Sequence, residues 1–241
     1  MKEKILVAGG TGFLGYHLLK KLLELKYDLY SISTKMPKKE RKLKKIKYLI
    51  CDVTKKNSIK KKLNITFDYI VNFSGYVDHS DKIKTMRSHY LGCKNLVDTF
   101  KNKKIKKFIQ IGSSLEYGNS KSPHQETSHC RPRGNYGLAK LKASKYLQKV
   151  GSKNNLSFTV LRLYQIYGPN QSINRLIPVV VDSCLKNKIF SCSPGLQKRD
   201  FLFVGDLVKL ILKIIKNKPS NSIFNVGSGQ SIKVKNIINL I

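Results

Sequence analysis

A chain of 241 residues with 41% hydrophobic side chains can bury one substantial core without disulfide or metal staples. Its 47 lysines and arginines against 14 acids give a formal charge of +33, but only seven of the cations are arginine, which argues against a dedicated reader of nucleic-acid base edges. Five cysteines without a C-x-x-C pair and five histidines without ligand spacing exclude a disulfide framework or a zinc site and fit a reducing cytoplasm, and no apolar stretch reaches the length of a membrane span.

The first predicted element is a strand, Lys4 to Ala8, whose apolar run ends in Gly9-Gly10-Thr11-Gly12-Phe13-Leu14-Gly15 and passes into an amphipathic helix over Leu14 to Leu25. A G-x-x-G-x-x-G spacing between strand and helix suits a sharp turn whose backbone approaches a pyrophosphate at the helix N-terminus. The alternative is a tight strand-to-helix turn with no ligand. A second strand, Asp28 to Ser33, runs into Thr34 and Lys35, where NAD-binding chains often carry an acid on the ribose hydroxyls. Hydroxyls and a lysine there favour the extra phosphate of NADP over NAD, unless Lys35 is one more surface lysine. The third strand, Lys47 to Cys51, leads to Asp52 and Val53, which sit either against an adenine amino group or at a helix N-cap.

Strands follow at Tyr69 to Phe73, Lys107 to Ile111 and Phe158 to Leu163, separated by helices over Lys82 to Lys101 and Tyr136 to Val150. This alternation, with β-branched strands, predicts an α/β class protein with a doubly wound parallel sheet (a Rossmann fold). The lysine runs at 38–47, 55–62 and 101–107 fall at helix ends and in loops, which marks them as solvated surface. Tyr136 and Lys140, four residues apart, share a helix face, so the ammonium can lie beside the phenol. A positive neighbour lowers a phenol pKa that otherwise lies near ~10, making tyrosine a usable acid or base near neutrality. Ser113, just past the fifth strand, would hold the substrate oxygen at the carboxyl edge of the sheet. Beyond Gly168-Pro169 the pattern loosens into a helix at Leu176 to Lys186, a strand at Lys198 to Phe203, a helix at Val204 to Lys216 and a strand at Ser222 to Val226. The expected division is a dinucleotide-binding domain over 1–168 and a smaller, partly interleaved substrate-binding lobe over 169–241.

These segments, together with Ile111 to Gly118, Asn135 to Lys140, Leu161 to Pro169 and Arg199-Asp200-Phe201 with Asp206-Leu207, resemble the extended short-chain dehydrogenase/reductase family. The branch they resemble is the NAD-dependent epimerase/dehydratase group acting on nucleotide sugars. The resemblance implies catalysis by Ser113, Tyr136 and Lys140. It implies an NADP or NAD site formed by Gly9, Gly12, Phe13, Leu14, Gly15, Ser33, Lys35, Asp52, Val53, Phe73 and Ser74, with Tyr136 and Lys140 alongside. Ser114, Gln165 and Arg199 would contact the nucleotide sugar, Arg199 on its diphosphate unless it pairs with Asp200 at the surface. A homodimer through the helices at Lys82 to Lys101 and Tyr136 to Val150, and a substrate lobe shorter than that of relatives, are further implications.

Departures from the pattern narrow the chemistry. Where dehydrating relatives carry Asp-Glu after the catalytic hydroxyl, this chain has Ser114-Leu115; only a shift of register would make Glu116 the acid. His89 stands in place of a common asparagine, with a structural role expected. What remains is 4-epimerisation or 4-keto reduction of a nucleotide-linked sugar. An alternative from another class is a non-catalytic dinucleotide-binding protein whose basic face engages RNA or a membrane surface.

Overall fold

The computed structural model describes residues 2–241. Strands β1 (Lys4–Ala8), β2 (Asp28–Ser33), β3 (Lys47–Ile50), β4 (Tyr69–Asn72), β5 (Lys107–Ser113), β6 (Phe158–Leu163) and β9 (Ser222–Val226) form one sheet in the order β3-β2-β1-β4-β5-β6-β9. Every neighbouring pair in it is parallel. The strands are apolar on both faces because helices cover both. Ile5 and Val7 of β1 pack with Leu18, Leu19 and Leu22 of α1 (Phe13–Leu22) and with Leu207 and Ile211 of α7 (Val204–Asn217). Leu6 and Ala8 point the other way, onto Leu96, Val97 and Phe100 of α4 (Gly92–Phe100) and Ala143 and Leu147 of α5 (Gly134–Asn154). Each such aliphatic side chain taken wholly from water contributes about 1.5–3 kcal/mol before entropy is counted.

α7 and β9 lie with the large sheet, while β7 (Gln165–Tyr167), just before Gly168, joins β8 (Lys198–Phe203) and β10 (Ser231–Lys233) in a separate three-stranded sheet in the order β10-β8-β7. α7 returns because Leu207, Val208, Ile211, Ile214 and Ile215 make one buried stripe that only the sheet can cover. Helices α2 (Lys56–Lys62), α6 (Leu176–Leu185) and α8 (Val234–Leu240) complete the chain together with α3 (Lys82–Met86). The span read as one helix from Lys82 to Lys101 is α3 and α4 joined by a π-helical turn, Arg87–Leu91, which carries His89 inward. Among the described residues no helix is long and apolar enough to cross a membrane, and no cluster of acids, histidines or cysteines could hold a metal.

β1 lies between β2 and β4, so the chain departs in opposite directions from neighbouring strands and opens a crevice at their carboxyl ends. The glycine turn, the segment after β4 and the end of β5 all border it.

Candidate active site

The glycine turn is built for close backbone approach. Gly9, at φ +80°, donates its N–H to the Ile32 carbonyl at 2.8 Å, and a Cβ there would lie 2.9 Å from the Phe73 carbonyl carbon and the Ser74 nitrogen. Glycine is needed because β1 and β4 emerge side by side. Gly15 seats α1 against the turn, since a Cβ would come within 2.5 Å of the Gly9 carbonyl oxygen. Gly12 differs: its Cβ would meet nothing but the Gly9 oxygen, at 3.2 Å. The space beside it is open, and α1 begins there with no side-chain cap and no acid in its first turn. An uncapped helix N-terminus facing open space fits a pyrophosphate, and Phe13 and Leu14 bring their backbone to it.

At the ribose end, the Ser33 hydroxyl donates to its neighbour's carbonyl on Ile32 at 2.7 Å and accepts from the Thr11 amide at 3.4 Å. Lys35 is exposed, two residues past β2. Sequence reasoning missed Arg41, whose guanidinium donates to the Thr11 carbonyl at 3.4 Å and to the Asn170 carbonyl at 2.6 Å. It sits in a lysine run, and nothing in the run distinguishes it. Asp52 caps its own turn, accepting from the Thr54 amide at 2.9 Å, while the N-cap of α2 is Lys55; Val53 is buried with its carbonyl held by Asn95 at 3.0 Å. Phe73 and Ser74 flank the turn as expected, with Ser74 bonded to the Asn72 side chain.

Ser113, Tyr136 and Lys140 come from a strand end and a helix that meet closely. Ser113 ends β5 and caps a single 3-10 turn, Ser114–Glu116: its hydroxyl accepts from the Leu115 amide at 3.2 Å, and its own amide donates to Glu116 Oε1 at 2.9 Å. α5 packs on that turn at Gly137, where a Cβ would lie 2.5 Å from the Leu115 carbonyl oxygen. Lys140 is buried and donates to the Ile111 carbonyl at 2.8 Å, and its Nζ stands 5.6 Å from the Tyr136 ring centroid. That single bond leaves the ammonium with donors free for a ribose hydroxyl or the phenol.

Two histidines pack on the Tyr136 ring, His89 in the structural role expected of it and His79 without any signal in the sequence. His79, in the loop after β4, stacks on the Tyr136 ring at 4.0 Å between centroids with planes 20° apart, and His89 meets the same ring edge-on at 4.9 Å. Burial and then the Lys140 charge push the His89 imidazole down to about 2, so it is neutral. Its Nε2 bonds the Tyr76 carbonyl at 3.1 Å, and its Nδ1 is buried without a partner among the described residues.

Glu116, which only a register shift would make an acid, is held in place by its partners. Its carboxylate is fully buried and ion-paired with Arg162 at 3.0 Å, while Arg162 also donates to the Tyr117 hydroxyl at 2.8 Å and the Glu126 carbonyl at 3.2 Å. Glu116 thus anchors Ser113 from behind. Ser114 is half-buried at the turn, and Gln165 and Arg199 are exposed on β7 and β8. Asp200 does not pair with Arg199; it accepts from the Ser228 and Gly229 amides at 2.7 and 2.9 Å, while Arg199 donates to the Lys198 carbonyl at 2.8 Å.

Residues 5–227 match the NAD dependent epimerase/dehydratase family. The chain is 30% identical to a dTDP-D-glucose 4,6-dehydratase of Dictyostelium discoideum, over 99% of this chain and 62% of that one. It is 26% identical to an Escherichia coli dTDP-4-dehydro-6-deoxyglucose reductase, over 100% of this chain and 81% of the other. In fold it is similar to the UDP-glucose 4-epimerase of Thermotoga maritima crystallised with UDP-glucose, with a TM-score of 0.90 and 23% identity over 98% of this chain and 81% of that one.

Proposed function

The chain belongs to the NAD dependent epimerase/dehydratase family, and from that premise we propose that it is a nucleotide-sugar 4-epimerase or 4-keto reductase with Tyr136 as its acid and base. The observation that carries this reading is the seating of α5 on the Ser113 turn at Gly137, with Lys140 tied to the Ile111 carbonyl at 2.8 Å, which draws hydroxyl, phenol and ammonium to one end of β5. The crevice would hold a nicotinamide dinucleotide, which when bound would supply hydride exchange. The open space at Gly12 and the bare N-terminus of α1 fit its pyrophosphate.

Ser113 donates a hydrogen bond to the reacting sugar oxygen and fixes its place. Tyr136 takes the proton from that oxygen when a hydroxyl is oxidised and returns it when a carbonyl is reduced. Lys140 supplies positive charge beside the phenol as its proton leaves. Dehydration fits poorly, because Leu115 has no proton to give and Glu116 is committed to Arg162.

At the other end of the cofactor, the absence of an acid after β2 and the presence of Lys35 and Arg41 favour NADP, and with it the reductase. Arg199, exposed and without a carboxylate partner among the described residues, suits a substrate diphosphate, with Ser114 and Gln165 beside the sugar. All five cysteines are free thiols, in keeping with a cytoplasmic setting. The chain is proposed to pair with a second copy through the outer faces of α4 and α5.

The test uses a panel of 4-keto nucleotide sugars with NADPH followed by absorbance, and 4-hydroxy sugars followed by product analysis. Consumption of NADPH identifies the reductase; sugar interconversion without consumption identifies the epimerase. Tyr136→Phe is expected to abolish turnover while dinucleotide affinity is retained, and a variant that kept the wild-type rate would overturn the assignment of the acid and base.

A further inference from the structure

The Tyr136 ring is enclosed by three side chains from three places in the fold. Lys140 lies one helical turn along α5. His89, on the π-helical turn, meets the ring edge and is immobile: it is buried, bonded to the Tyr76 carbonyl, and packed so closely on Gly75 that a Cβ there would fall 2.0 Å from its ring. His79 covers the ring face at 4.0 Å. It alone of the three is exposed, with its outer edge in solvent and its inner face on the phenol. A tyrosine has only two side-chain torsions, and with Lys140 and His89 fixed, the imidazole on its open face decides how far the ring can swing.

We propose that His79 is a positioning residue for Tyr136, a flat neutral clamp that holds the phenol in the plane from which it exchanges a proton with substrate. This rests on Tyr136 being the acid and base. Neutrality belongs to the device. The groups facing His79 are Tyr136 and Lys140 of α5, His89 of the π-helical turn, Arg175 at the start of α6, and Asp78 in its own loop. Burial, then Arg175 and Lys140, hold the imidazole below its ordinary 6.5, with Asp78 acting weakly the other way. Above that value the ring is uncharged and stacks; as pH falls through the lowered value it gains a charge that Arg175 and Lys140 repel, and the clamp loosens.

Two variants separate the possibilities: His79→Ala removes the clamp, and His79→Phe keeps a flat ring that cannot titrate. A stacked aromatic pair of ordinary strength leads us to expect kcat to fall about three- to tenfold in His79→Ala, with KM and dinucleotide affinity changed less than about twofold. His79→Phe should recover most of the rate and lose the acid-side decline of kcat expected of the wild type. Independently of turnover, NMR of the isotope-labelled tyrosine ring, assigned by its absence in Tyr136→Phe, should show an upfield stacking shift in wild type that titrates with His79. That shift should vanish in His79→Ala and become pH-independent in His79→Phe. Equal rates in wild type and His79→Ala, or a His79→Phe as slow as His79→Ala, overturn the proposal. A Tyr136→Phe variant with full activity instead overturns the catalytic reading beneath it, and the NMR result then judges the stacking by itself.

Discussion

Glu116→Gln tests whether the carboxylate behind Ser113 is a scaffold or a reacting acid. Its side chain is fully buried, and that of its partner Arg162 is 4% exposed. The glutamine oxygen can still accept from the Ser113 amide, but its NH2 then faces the Arg162 N–H groups, donor against donor. The guanidinium keeps the Tyr117 hydroxyl and Glu126 carbonyl and loses its countercharge. Breaking one side of such a buried pair costs about 3–5 kcal/mol. For a domain of this size about 2–4 °C of melting temperature accompanies each kcal/mol, so the midpoint should fall by about 6–20 °C in thermal unfolding followed by circular dichroism. Turnover measured well below that midpoint should be close to wild type, because the Ser113 amide keeps its acceptor. The double variant Glu116→Gln with Arg162→Met should regain part of the loss, since removing both charges is far less costly than stranding one. A Glu116→Gln protein that melts with the wild type yet has lost its turnover would refute this reasoning and make Glu116 the acid.

The glycine turn offers a contrast. Gly15→Ala drives a Cβ into the Gly9 and Gly10 backbone at 2.5 and 2.6 Å and should cost about 1–3 kcal/mol of stability, read by denaturant titration. Gly12→Ala meets only the Gly9 oxygen, at 3.2 Å, a tight contact that a shift of a few tenths of an ångström relieves, so it should fold while binding dinucleotide at least about tenfold more weakly by calorimetry; normal binding would remove the pyrophosphate from that place. His89, buried and neutral with its imidazole pushed down to about 2, gives stability a pH dependence of known sign. Above the unfolded value near ~6.5 nothing is lost; below it the unfolded chain takes up a proton that the folded one refuses, at about 1.4 kcal/mol per pH unit. Replacing it by Gln should flatten the fall of melting temperature between neutral and acid pH, whereas parallel curves would mean that His89 is not its source. The proposed dimer face carries Lys142, Lys145 and Lys149, all exposed, so sedimentation should show association that strengthens with salt. A monomer at every salt concentration would remove the face from consideration.

The elements legible in the sequence were those whose burial leaves a pattern. β1, β2, β6, β8 and β9 begin and end where their apolar runs do. α2 was missed because Ile59 is its only buried residue among four lysines, two asparagine-like polar positions and no cap. β7 and β10 have three residues each and exist because β8 pairs with them, a fact about the partner strand. The return of α7 and β9 to the large sheet could not be read either, since it depends on which face of β6 remained open. The site divided in the same way. Ser113, Tyr136 and Lys140, the proposed catalytic residues, are marked in the sequence by position on a strand end and by helical spacing. Arg41 lies in a single 3-10 turn and His79 in a loop, where the partner is fixed by the path of the backbone and no periodicity reports it.

Charge shows why composition was the least informative quantity here. Of 47 lysines and arginines, most lie on exposed faces and would be equivalent in any count. A few are distinguished by what surrounds them. Lys140 is buried with one carbonyl and a phenol; Arg162 is buried with one carboxylate; Arg41 bridges the glycine turn to the segment after β7. A buried cation must be satisfied by a few specific partners, and so its position constrains the residues around it; a solvated one constrains nothing. The positive sign of the whole chain attracts anions from a distance.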